Sequence, residues 1–91
     1  MPLDDATLLT RDPAAIGTPM GDTVVLLDAR GEYLELNPVG VAVWEALETP
    51  RPLGALVVQL AAEFGVEGDV VRRDVQTFLT TLSERGLLRL G

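Results

Sequence analysis

Apolar positions change their period partway along the chain. Thr23-Val24-Val25-Leu26-Leu27-Asp28 is a β-branched and aliphatic run with a turn signal at each end, Gly21-Asp22 before it and Ala29-Arg30-Gly31 after it. Glu32-Tyr33-Leu34-Glu35-Leu36 then sets Leu34 and Leu36 on one face and Tyr33 and Glu35 on the other. The two runs predict a β-hairpin. A short extended segment over about 14–20 precedes them, although Gly17 and Pro19 interrupt it. Residues 1–12 show no period and are read as a loose arm, which leaves one domain over 13–91.

From Asn37-Pro38 the spacing becomes helical. Asn is a strong N-cap, and Pro at the first helical position loses only an N–H that was orphaned anyway. A first helix over about 38–48 carries Val39, Val43, Trp44 and Leu47 on one face, and Thr49-Pro50-Arg51-Pro52 breaks it. A second, about 53–64, aligns Leu56, Val57, Leu60 and Phe64, with Gly65 placed as a left-handed cap. A third, about 69–85, carries the stripe Val71, Val75, Phe78, Leu79 and Leu82. Gly86 caps it, and Leu87-Leu88 fold back onto it. The expected class is therefore α+β. It is winged helix-turn-helix-like, with a small antiparallel sheet of two or three strands followed by three helices.

Composition narrows the chemistry. The 91 residues contain no Cys and no His, and the seven basic residues are all Arg. Thiolate, imidazole and Schiff-base chemistry are thereby excluded for this sequence. Ser83 is the only Ser and has no His or Lys to activate it. No cofactor or metal is expected, because no phosphate-cradling Gly loop or calcium-loop spacing occurs. Glu45 and Glu48 lie three apart on a helix, but a solvated face explains them better than an acid–base pair. A net charge of −7 opposes binding to nucleic acid, whose affinity comes largely from cations on phosphates. A winged-helix DNA-binding regulator is the alternative class, but its recognition helix would mix Arg72 and Arg73 with Asp69, Asp74 and Glu84. No run is long enough to span a bilayer, and the first residues do not form a secretory signal. A cytoplasmic protein without membrane or nucleic-acid partners is the expectation.

One feature is unusual for a solvated flank. Val70, Asp74, Thr77 and Thr81 form a second stripe beside the core stripe of the third helix. Its short side chains next to a strand edge make a shallow groove suited to an extended peptide. The hairpin's second strand is expected to offer that edge, because its first strand has a neighbour on each side.

The run VVLLDARGEYLELNPVGVAVWEAL, with Asp74-Val75, Phe78-Leu79 and the closing Arg85-Gly86-Leu87-Leu88, resembles the PqqD-like family, known more broadly as RiPP recognition elements. The likeness spans about 24–90. Pro52 and Gly68 depart from the family's usual helix starts. The resemblance implies a non-catalytic module that binds the leader of a ribosomally made precursor peptide by β-strand addition and presents it for processing. Transferred to this chain, the leader would lie between Glu32, Tyr33, Leu34, Glu35 and Leu36 on the strand and Val70, Asp74, Thr77, Phe78 and Thr81 on the helix. The pattern LLDARGEYLELNPVG is most similar to the stand-alone leader-binding proteins of lasso-peptide biosynthesis, whose partner is a separate cysteine-type leader peptidase. A PqqD-type peptide chaperone of quinone-cofactor synthesis, working beside a radical enzyme, is the second type that the resemblance implies.

Overall fold

A computed structural model describes residues 4–91. Six strands and three helices follow in the order β1 (Leu8–Arg11), β2 (Ile16–Met20), β3 (Thr23–Leu27), β4 (Tyr33–Glu35), α1 (Pro38–Ala46), β5 (Arg51–Pro52), α2 (Leu53–Phe64), α3 (Gly68–Glu84) and β6 (Leu88–Leu90). The strands form two antiparallel sheets, ordered β2-β3-β4 and β5-β1-β6. The first is the expected hairpin sheet with its third strand. The second corrects the expectation of strands confined to the front of the chain.

It also corrects the loose arm. Residues 1–3 lie outside the described residues, but Leu8–Arg11 is a central strand. Leu9 pairs with Arg51 on one side and Leu90 on the other, and its side chain is fully buried. Arg11 fastens the same strand to α1. Its guanidinium lies 4.4 Å from the Trp44 ring centroid, and its Nε and Nη2 donate to the Trp44 carbonyl. Burial lowers its pKa against the raising charges of Glu48 and Glu45.

The helix ends follow from the residues at them. Asn37 accepts from the Gly40 N–H at 2.8 Å, and Pro38 opens α1. Gly65 closes α2 at φ 66°. At the end of α3, Gly86 turns left-handed at φ 71°, Leu87 N–H donates to Leu82 O and Gly86 N–H to Ser83 O. This double closure returns the buried Leu87 and Leu88 to the core, and the chain continues into β6 beside β1. The core collects Leu26 and Leu36 from the first sheet, Val43, Trp44 and Leu47 from α1, Leu56 and Leu60 from α2, and Val75, Leu79 and Leu82 from α3. Phe64 departs from the α2 stripe. It is the last residue of that helix and is 42 % exposed.

Candidate functional site: an open strand edge and the groove beside it

The first sheet has two edges, and its register makes them unequal. β3 and β4 pair Val25 with Glu35, Leu26 with Leu34 and Leu27 with Tyr33. The flanking bonds, Asp28 N–H to Glu32 O and Leu36 N–H to Val24 O, show which residues of β4 face β3. Hydrogen-bonded and non-bonded pairs alternate in an antiparallel ladder. Leu34 is therefore bonded to β3, and the N–H and C=O groups of Tyr33 and Glu35 point outward along the free edge. By the same alternation, Gly17 and Pro19 point outward from β2. Pro19 has no N–H to offer, which blunts that edge without breaking the ladder. The edge open to a guest strand is β4.

Two contacts show how β4 lies beside α3. Arg85 Nη1, at the C-terminal end of α3, is 3.8 Å from Glu32 Oε2, just before β4. Asn37 and Val39, just after β4, line a cavity of about 430 Å³ together with Asp74, Thr77, Phe78 and Thr81 of α3. The strand and the helix thus run antiparallel with a trough between them. A second cavity of about 240 Å³ adjoins it, sharing Val39 and Asp74, and is lined otherwise by Phe64, Val66, Val70 and Val71.

The trough is built from residues of several kinds. Phe78 is half-buried against the core. It lies under Gly40, where any Cβ would come within 3.1 Å of the ring. Thr77 Oγ1 donates to Arg73 O at 3.1 Å and Thr81 Oγ1 to Thr77 O at 3.3 Å. Their hydroxyls are occupied within the helix, which leaves their methyls for the groove. Asp74 is the one carboxylate lining both cavities.

The turn feeding β4 is held by a buried carboxylate. Asp28 is 4 % exposed, and its Oδ1 accepts from Arg30 N–H at 2.8 Å and Glu32 N–H at 2.9 Å. Its Oδ2 is buried with no hydrogen-bond partner among the described residues. The Glu32 N–H holds the carboxyl below the usual range, helped by the Arg30 N–H and the charges of Arg30 and Arg85 and opposed by desolvation.

The structure brings Asp74, Thr77, Phe78 and Thr81 into one cavity and Val70 into the adjoining one. Glu32, Tyr33, Leu34 and Glu35 line neither cavity; Tyr33 and Glu35 supply the free strand edge, whereas the backbone groups of Glu32 and Leu34 are bonded inward. Tyr33 is 71 % exposed on the outer face, whereas Leu36 is 3 % exposed and belongs to the core. Asn37, Val39, Phe64 and Val66 were not among the expected groove residues. An aromatic at a helix end, followed two residues later by an uncovered Val, is the signal that could have placed the last two.

A family model described as coenzyme PQQ synthesis protein D (PqqD) matches residues 23–88. A solved structure described as TbiB1 in complex with the TbiA(beta) leader peptide is 32 % identical, with a TM-score of 0.80 over 88 % of this chain and 94 % of that one. No curated protein matches the chain.

Proposed function

The chain belongs to the PqqD family, and on that premise we propose that it binds the leader of a ribosomally synthesised precursor peptide as an added strand on β4. One observation carries the reading. The edge that offers free backbone groups, at Tyr33 and Glu35, is the edge that borders the trough of α3. Backbone bonds to these two residues supply affinity that any sequence can use. The Phe78 ring, the Thr methyls and the apolar recess at Val70 select the guest's side chains.

The module presents its guest and does no chemistry on it. The sequence holds no Cys, His or Lys from which a nucleophile or base could be made. Processing belongs to a second polypeptide. For a lasso-peptide pathway this is a cysteine-type leader peptidase, the reading favoured by likeness to a protein solved with a leader peptide. The family description favours a second reading, a peptide chaperone beside a radical enzyme in quinone-cofactor synthesis. DNA binding has less support. Arg72 of α3 is already paired with Asp5 at 2.5 Å, and the net charge is −7.

Fluorescence polarisation decides between these classes. The probes are the labelled TbiA(beta) leader peptide, solved in complex with the similar protein, and a labelled DNA duplex. Saturable leader binding, with the peptide recovered uncut, is the expected result. Salt-sensitive DNA binding without leader binding would falsify the proposal. Pull-down on the immobilised complex with a leader peptidase and, separately, with a radical enzyme of quinone-cofactor synthesis then separates the two pathways.

A further inference from the structure

We infer that Asp28 is a positioning residue for guest-strand binding: its buried carboxylate pins the turn that feeds β4, and with it Glu32, whose side chain pairs with Arg85 of α3 across the end of the trough. The inference rests on the leader-binding reading for its purpose and on the turn's geometry for its mechanism.

β4 is three residues long and paired on one side only, so its position depends on what holds its ends. Its far end is fixed three times. Leu36 N–H donates to Val24 O at 2.9 Å, Thr23 Oγ1 donates to Leu36 O at 2.5 Å, and Asn37 caps α1. Its near end hangs on Asp28. Besides the two N–H groups on Oδ1, Asp28 N–H donates to Glu32 O at 3.0 Å and Gly31 N–H to Asp28 O at 3.1 Å. A side chain that accepts from two successive positions of the turn fixes where Glu32 leaves it, and so where the edge begins.

Glu32 supplies the link to the helix. Its N–H is held by Asp28 Oδ1 at 2.9 Å, and its Oε2 lies 3.8 Å from Nη1 of Arg85 at the end of α3. Asp28 thus fixes the backbone from which Glu32 reaches the opposite wall of the trough. The charge of Arg85 also helps to hold the Asp28 carboxyl below its usual range.

The test uses Asp28→Asn, Asp28→Ala, Arg85→Gln and the Asp28→Asn/Arg85→Gln double variant. Amide hydrogen exchange on the free proteins reads the turn without any ligand. In Asp28→Ala the Glu32 and Leu34 amides should exchange faster, while those of Leu36 and Leu79 keep the parent's rates. Leader affinity by fluorescence polarisation should fall by about tenfold in Asp28→Ala, corresponding to a lost charge-assisted bond. Asp28→Asn keeps an acceptor for the turn and loses the charge, so it should weaken binding less. Its loss and that of Arg85→Gln should not add in the double variant, because both act through the placement of Glu32, whereas independent roles give additive losses. Should Asp28→Ala not fold, Asp28→Asn and Arg85→Gln carry the same cycle. Unchanged exchange at Glu32 and Leu34, or additive losses in affinity, overturn the role of Asp28. Failure of the parent to bind any leader overturns the binding reading alone, and the exchange pattern still decides whether Asp28 holds the edge.

Discussion

Proline at position 35 separates backbone recognition from everything else in the trough. Glu35 sits in β4 with its N–H outward, so Glu35→Pro removes a donor that the intramolecular ladder does not use. A guest strand bonded to both outward residues makes up to four backbone bonds, worth about 0.5–1.5 kcal/mol each. Losing one, and meeting the proline ring at close range, should weaken leader binding by ~1–2 kcal/mol, a factor of about 5–30. Glu35→Ala is the control for the lost carboxylate and should bind nearly as the parent does. Leu34→Pro is the opposite control, since the Leu34 N–H points to β3 and its loss damages the sheet itself. Fluorescence polarisation with labelled leader measures affinity, and circular dichroism checks the fold. If Glu35→Pro is folded and binds leader as tightly as Glu35→Ala, the guest does not add to β4.

Three further outcomes follow from other parts of the molecule. Val70→Glu and Thr81→Glu put a charge where guest side chains dock and should each weaken binding by ~1–3 kcal/mol while leaving the fold intact, read by the same two assays. Leu9→Ala opens a cavity at a fully buried site and should lower stability by about 2–5 kcal/mol in urea unfolding; a change within ~0.5 kcal/mol would mean that β1 is dispensable. Acid sensitivity should track Asp28 and Asp12, whose carboxyls are held low chiefly by the Glu32 N–H and the Ala14 N–H respectively. Carboxyls with folded pKa values below the unfolded ones contribute stability that is present above about pH 4 and lost as pH falls through the lowered values, so Asp28→Asn should flatten the acid limb of the stability curve.

Much of this architecture was legible in the residues. Period-two alternation placed the hairpin, and Asn37, Gly65 and Gly86 marked helix boundaries through cap chemistry that needs no tertiary information. The small-residue flank of α3 pointed to the trough because short side chains leave space that a solvated Glu or Arg would fill. β1, β5 and β6 were not legible, because each is too short to show a period of its own. Their pairing is decided by partners far along the chain. Which β4 residues turn their N–H outward was equally illegible. Alternation of side chains gives the faces of a strand, but the bonding direction depends on register, and register appears only once Leu34 is set opposite Leu26. Leu36 shows the cost of that gap. Its pattern matched the edge, yet its side chain is core and its N–H is already bonded inward.

The second sheet has a consequence for how the chain folds. The strands of the β2-β3-β4 sheet are joined by short turns, so their closure costs little entropy and can come early. β1 has no such neighbour. One of its partners follows α1, and the other follows α3, with Leu9 opposite Leu90. During synthesis Leu8–Arg11 can meet β5 early, but the side of it that faces β6 stays unpaired until Leu88–Leu90 has been made. Variants that slow or weaken that last pairing should accumulate an intermediate with the β2-β3-β4 sheet formed and β1 unpaired on that side, a species prone to pair with β1 of another molecule.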